Sequence, residues 1–155
     1  MANEFSTAGI TLKYAFEATD SAGTKPTSGY TAVPGIKSMP EINPEPSSLE
    51  CTDLSDLIWK RYIPGLRDPG SSIGFTANLT SEFKTAWNTL VTTSQTKKSA
   101  GLATWFEISI PDLESFYFSG DPVALGFGGA EVDSVLETTA YVVPNGISGF
   151  AAHSS

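Results

Sequence analysis

The stretch LECTDLSDLIWKRYIPGLRDPGSSIGFTANLT, from Leu49 to Thr80, carries the densest set of structural signals in the chain. After a short extended segment it contains an acid-and-hydroxyl turn at Asp53–Asp56 and an amphipathic segment at Leu57–Ile63. The Pro64-Gly65 pair then predicts a turn, because proline fixes φ and glycine permits φ > 0. The alternation from Ile73 to Leu79 predicts a strand, so the stretch is a shaped loop that leads into a sheet.

The predicted loop is long and covers residues 40–72. Its first part, residues 40–48, contains three prolines and predicts no regular structure. A connection of this length is uncommon in a compact domain unless it is functional or disordered in the isolated chain. The sequence therefore predicts a loop with a role of its own.

Alternation of apolar and polar residues predicts strands on both sides of this loop. We expect a strand over Ile10–Phe16, an extended stretch over 30–39 that Pro34 and Gly35 interrupt, and a hairpin over 104–118. We also expect a strand over 131–143, with the acidic residues Glu131, Asp133 and Glu137 on its solvent face.

One segment predicts an α-helix, over about residues 81–94. Thr80 or Ser81 can cap it, and Glu82 in the first turn complements the helix dipole. An apolar stripe repeats at helical spacing. It consists of Phe83, Ala86, Trp87, Leu90 and Val91. The expected fold is therefore mainly β, a single sandwich-like or barrel-like domain over 1–155 with one flanking helix, a flexible arm at 1–9 and a tail at 144–155.

The composition and the sequence pattern argue against several classes of protein. The chain has 155 residues, which fits one domain, and a formal net charge of −8, which disfavours a protein that grips nucleic acid through phosphates. The start has no basic and apolar leader pattern, and no apolar run approaches the ~20 residues of a membrane span. The single cysteine, Cys51, cannot form an internal disulfide.

Groups for catalysis or metal binding are scarce. The only histidine, His153, lies in a small-residue tail, and Cys51 has no second cysteine near it, so its expected role is that of a small buried hydrophobe in a strand. Asp53 and Asp56 beside a turn are typical backbone caps. We therefore expect neither an enzyme nor a cofactor.

The segment Trp59–Tyr62 interleaves aromatic residues with cations. Because the chain as a whole is acidic, this pattern favours packing or self-association over base stacking.

The order T-x-L-x-D, R-Y-I-P-G-L-x-D and G-F-T-A-N resembles the major tail (tail tube) proteins of long-tailed bacteriophages. Three further segments resemble the same family in order and spacing: residues 8–14, 33–36 and 105–111. The central pattern is carried by Thr52, Leu54, Asp56, Arg61 to Leu66, Asp68 and Gly74 to Asn78.

The resemblance implies a structural protein of the virion tail, assembled in the cytoplasm of the bacterial host. Its subunits would form hexameric rings that stack into a hollow tube. The tube would surround a tape measure protein, end on terminator and tip proteins, and conduct DNA as a passenger. On the residues alone, a monomeric β-sandwich module that binds carbohydrate or another ligand stays open as the alternative.

Two sets of residues are the candidates for this function. In the loop, which we expect to be mobile in the free subunit and ordered in the tube, the self-assembly candidates are Leu57, Trp59, Arg61, Tyr62, Ile63, Arg67 and Asp68. The candidate acids for the channel wall are Glu50, Asp53, Glu131, Asp133 and Glu137. Acids there would repel DNA phosphates and keep DNA from adhering.

Overall fold

The computed structural model describes residues 8–43, 45–67 and 72–154. Within these ranges the chain forms nine strands, one α-helix (α1, Ser81–Ser99) and a short 3-10 helix at Thr19–Ser21. The strands are β1 Thr11–Phe16, β2 Thr31–Ala32, β3 Ile36–Ser38, β4 Pro46–Glu50, β5 Tyr62–Arg67, β6 Ile73–Asn78, β7 Thr104–Ser109, β8 Ser115–Pro122 and β9 Glu137–Ala151.

Seven of the strands form one antiparallel sheet in the order β2-β1-β7-β8-β9-β6-β3. The sheet curls into a half-barrel. Its two edge strands, β2 and β3, are joined by only Val33, Pro34 and Gly35. Four Cα–Cα steps of ~3.8 Å limit the distance from Ala32 to Ile36 to about 15 Å, so the edges approach each other closely. The prediction of a mainly β, barrel-like fold with one helix is confirmed.

The hydrophobic core lies between α1 and one face of this sheet. From the helix, Phe83, Trp87 and Leu90 are fully buried. They face a sheet surface in which Phe118 stacks on Phe106 at 5.2 Å between ring centroids. Trp87 donates its indole N–H to the Val123 carbonyl at 2.8 Å, which satisfies its one polar atom. Burial of each such side chain contributes about 1.5–3 kcal/mol to folding.

The helix begins as predicted but ends later. Thr80 is the N-cap, and its hydroxyl accepts a hydrogen bond from the Phe83 N–H at 3.1 Å. The predicted end near residue 94 is wrong, because the helix continues through this position. The Ser94 side chain is buried there, and its hydroxyl hydrogen-bonds the Thr104 hydroxyl at 2.8 Å. The true stop is Gly101, at φ +80°, where the N–H groups of Gly101 and Leu102 bond the carbonyls of Lys98 and Lys97.

The last strand starts six residues later and ends eight residues later than the predicted range of 131–143. It runs over Glu137–Ala151, so residues 131–136 are not strand and the expected tail at 144–155 is mostly sheet. The reason is pairing with β8, in which Pro122 lies opposite Val142 and Ser115, at the other end of the strand, lies opposite Ala151. Pro144 is tolerated there because β6 pairs with β9 only up to Val142, so its missing N–H removes no bond on that side.

The predicted loop contains a second, two-stranded sheet. β4 and β5 pair antiparallel, with Glu50 opposite Tyr62 and Leu49 opposite Ile63. The expectation that residues 40–48 lack regular structure is therefore wrong from Pro46 onward. Pro46 occupies the first position of β4, where a missing N–H costs least. The last two residues of the amphipathic segment at 57–63 begin β5, and the turn predicted at Pro64-Gly65 is wrong because both residues lie within this strand.

Candidate self-assembly interface

Residues 46–67, here called the hairpin arm, form an element apart from the main sheet. The two strands contact mainly each other. The pairing continues past β4, since the Cys51 N–H donates to the Arg61 carbonyl at 2.9 Å. Ser47 and Leu66 close the base through a hydroxyl-to-carbonyl bond of 2.9 Å. The arm is thus held together by its own hydrogen bonds rather than by packing on the body.

The tip of the arm is organised by two aspartates and one arginine. Asp53 accepts hydrogen bonds from the N–H and hydroxyl of Ser55, and Asp56 accepts one from the Asp53 N–H at 3.0 Å. Arg61 then reaches Asp56 at 2.7 Å and Asp53 at 3.1 Å. The interpretation of these acids as local caps is confirmed. The hydrogen bonds from Ser55 lower the pKa of Asp53, and those from the Asp53 N–H and Arg61 lower the pKa of Asp56.

The apolar side chains of the arm face solvent. Leu54, Leu57 and Trp59 are 99%, 89% and 80% exposed, and Ile58 and Leu66 are similarly bare. Tyr62 and Ile63, on β5, are about half exposed. A cluster of this size on an element without a packing partner is typical of a protein interaction surface.

The structure thus brings most of the predicted assembly residues together on the arm. Leu57, Trp59, Arg61, Tyr62 and Ile63 lie along its tip and β5. Arg67 lies at the base of β5, beside an apolar depression. Asp68 falls outside the described residues.

The predicted channel acids are spread over several elements. Glu50 ends β4, and Asp53 belongs to the arm tip, where it pairs with Arg61. The placement of Glu131 and Asp133 on the solvent face of a strand is wrong: both precede β9, and Asp133 has φ +62°. Glu137 begins β9 and forms an ion pair with Lys37. Glu131 and Glu137 line one depression together.

Two buried carboxylates were not singled out from the sequence. Glu17 follows β1, and its oxygens accept hydrogen bonds from the N–H groups of Gly23 and Ala103, both at 3.0 Å, and from the Trp105 indole at 2.9 Å. Burial opposes ionisation, but these hydrogen bonds outweigh it and lower the pKa of Glu17. Glu17 therefore fastens the loop after β1 to the start of β7.

Glu107 fastens the C-terminal segment to the sheet in the same way. It is fully buried on β7 and accepts hydrogen bonds from the Ser154 hydroxyl at 2.7 Å and N–H at 3.1 Å, and from Tyr117 at 2.8 Å. Burial again opposes ionisation, and the bonds from Ser115, Ser154 and Tyr117 lower the pKa of Glu107. Burial and Glu107 together raise the pKa of Tyr117 to about 12.

His153 and Cys51 each lie just beyond the end of a strand. The His153 Nδ1 lies 2.7 Å from the Ser115 hydroxyl, so this histidine is hydrogen-bonded to the start of β8. Ser115 is fully buried, and a buried hydroxyl is closed to a substrate. Cys51 is partly buried, one residue beyond β4.

The described residues contain no group of three or more His, Cys, Asp or Glu side chains that could hold a metal ion. Of the helical segments in residues 8–43, 45–67 and 72–154, none combines the length and apolar character that a membrane crossing requires.

The fold has counterparts among solved structures, although no protein-family model and no curated protein matches the sequence. A chain of the anti-feeding prophage baseplate, a six-fold symmetrised cryo-EM structure, superposes with a TM-score of 0.61 over 98% of each chain, at 8% identity. A chain of the cap that terminates the tube of the same prophage gives 0.62 over 98% of this chain and 94% of that chain, at 13% identity. A chain from the tail of an empty GTA particle with C6 symmetry gives 0.58 over 96% and 100%, at 14% identity. The protein shares its fold with components of phage-type tails.

Proposed function

We propose that this protein is the subunit of a phage-type tail tube, and that it assembles into stacked hexameric rings through the hairpin arm. The observation that carries the proposal is the arm itself, a hydrogen-bonded hairpin whose large apolar side chains are exposed. Burial of such side chains against another subunit recovers the free energy that their exposure costs the monomer.

The structural likenesses support a structural role in a tail. They extend over almost the whole length of the compared chains, and two of the compared assemblies are described with six-fold symmetry. In this proposal the protein acts in the tail of the virion after assembly in the host cytoplasm. Its partners are further copies of itself, a tape measure protein, and terminator or tip proteins at the tube ends.

DNA is a passenger in this proposal. The formal charge of −8 per subunit opposes tight phosphate binding, and the channel wall is acidic. The candidates for that wall remain Glu50, Asp53, Glu131, Asp133 and Glu137. Two of them contribute less net charge, because Asp53 pairs with Arg61 and Glu137 with Lys37.

The test compares assembly of two double variants with the unchanged protein. Trp59→Ala with Tyr62→Ala removes the two aromatic anchors of the arm, and aromatic residues carry much of the binding energy at interfaces. The matched control is Phe127→Ala with Tyr141→Ala, since both of these aromatics are exposed outside the arm. Negative-stain microscopy should show tubes for the unchanged protein and the control, and folded but unassembled protein for the arm variant. Normal tubes from the arm variant contradict the proposal.

A further inference from the structure

The main body has an open apolar groove at one end of the core, next to the base of the arm. It is formed where strands β7, β8 and β9 reach beyond the helix-covered core, together with the segment before β4. Its apolar lining consists of Ile42, Ile108, Ile110, Phe116, Ile147 and Phe150. Four of these, Ile42, Ile110, Phe116 and Ile147, are partly buried residues that pack directly on the core cluster.

Phe150 marks the outer wall of this groove. Its ring meets that of Phe116 edge-on, with centroids 5.2 Å apart, and it is 61% exposed. The groove is therefore an unsealed continuation of the hydrophobic core, with an aromatic rim that is accessible to another molecule.

The protein thus has an apolar protrusion and an apolar depression on separate parts of its surface. We propose that the groove receives the arm tip of a second copy, with Leu57 and Trp59 entering between Ile147 and Phe150. This inference rests on the proposed function and adds to it the surface of the neighbouring subunit to which the arm binds.

The arm is too long for its tip to bind the groove of its own chain. Arg67 ends β5 beside the groove, and five steps of ~3.3 Å place Tyr62 about 17 Å away along the strand. Leu57 and Trp59 lie farther still, beyond Tyr62. While the arm stays straight, its tip reaches only a groove on another molecule.

A contact between a tip and a groove is a head-to-tail contact. Each subunit binds one neighbour through its tip and a second neighbour through its groove. Such contacts repeat around a ring or along a filament, whereas contacts between identical surfaces stop at a dimer. The arrangement therefore explains how one chain with a single kind of arm continues to add subunits.

The test identifies which surfaces meet. Two proteins are made in a Cys51→Ser background, one with Leu54→Cys at the tip and one with Asn43→Cys, at an exposed polar position in the lining of the groove. They are mixed in equal amounts under reducing conditions and treated with a short bismaleimide cross-linker. The control replaces the groove protein with Cys51→Ser plus Val132→Cys, because Val132 is 90% exposed but lies outside the groove.

The expected product is a tip-to-groove heterodimer, at least tenfold more abundant than the tip-to-Val132 product. Predominant tip-to-tip dimers, or equal yields with the control, overturn the groove assignment. Microscopy of the Cys51→Ser parent separates the two levels of the argument: tubes without a tip-to-groove product refute the groove alone, whereas the absence of any assembly refutes the proposed function and the groove together.

A second comparison uses assembly as its readout. Phe150→Asp places a charge on the groove rim, and Phe127→Asp places one on an exposed aromatic elsewhere. We expect Phe150→Asp to abolish tubes and Phe127→Asp to leave them, with circular dichroism showing that both proteins are folded. Tubes from Phe150→Asp overturn the inference.

Discussion

At the scale of single residues, Glu107 is the side chain on which the C-terminal segment depends most. Its carboxylate accepts hydrogen bonds from the N–H and hydroxyl of Ser154 and from the hydroxyl of Tyr117, and the side chains of Glu107 and Tyr117 are buried. The carboxylate therefore stabilises both the sheet and the segment after β9.

We expect Glu107→Ala to lower the free energy of unfolding by about 1–3 kcal/mol in total, because the N–H and hydroxyl of Ser154 lose their acceptor, whereas the Tyr117 hydroxyl keeps its bond to the Ala152 carbonyl. Glu107→Gln should cost less, because its amide can still accept from Ser154 and can donate to Tyr117. Urea denaturation of both variants measures the difference. An alanine variant as stable as the unchanged protein contradicts the role assigned to Glu107.

The hydrogen bonds of Asp53 and Asp56 predict that the stability of the arm tip depends on pH. The pKa values of Asp53 and Asp56 are lowered in the folded tip, so their hydrogen bonds contribute fully above the ordinary pKa of aspartate. This contribution is lost as the pH falls through the lowered folded values. Carboxyl carbon chemical shifts followed by NMR during an acid titration should show both groups titrating below ordinary aspartate, and Arg61→Ala should raise the pKa of Asp56. Lys60→Ala is the control, and an unchanged Asp56 in the Arg61 variant contradicts the assignment.

At the scale of elements, α1 depends on caps at both ends. We expect Thr80→Ala to lower the free energy of unfolding by about 1 kcal/mol, because the Phe83 N–H loses its acceptor. Ser81→Ala is the control, since Thr80 and not Ser81 is the N-cap residue. Thermal or urea denaturation decides the matter, and equal losses in the two variants contradict the cap assignment.

Elements with a strong period were predictable from the sequence. The strands at β1, β6 and β7, the hairpin of β7 and β8 and the start of α1 all follow from local alternation, helical spacing or capping. The end of α1 was predicted about five residues too early: Lys97 and Lys98 lie in the last turn of the helix, and the positive φ of Gly101 stops it.

Elements whose existence depends on pairing were not predictable. β9 continues through Pro144 and Gly146 because β8 offers it a partner, and no local pattern reports that partner. The same holds for β4, which contains Pro46 and is a strand only through its pairing with β5.

The candidate site shows the same division. The exposure of Trp59 and its neighbours is understandable from the sequence. These apolar residues lie in a segment that no neighbouring strand or helix covers, so they remain in contact with solvent. Glu17 and Glu107 occupy polar positions of alternating strands, where a solvent-facing side chain is the ordinary expectation. They are buried because segments distant in sequence cover them, and hydrogen bonds from Ala103 and Ser154 depend on that tertiary packing.

At the scale of the whole molecule, the described residues form a body, made of the half-barrel and the helix, and a separate hairpin arm. The body has its own core and hydrogen-bonded buried acids, so we expect it to fold without a neighbour. The arm exposes its large apolar residues to water, and in the proposed tube another subunit would cover them. This separation predicts that variants of the arm change assembly while the fold of the body persists.

The most direct test is electron microscopy of the purified, unchanged protein over a series of increasing concentrations. The account predicts hollow tubes built of stacked rings, with six-fold symmetry in end views and image averages. Protein that stays monomeric at high concentration over a range of salt and pH contradicts it, and would favour the monomeric binding module instead.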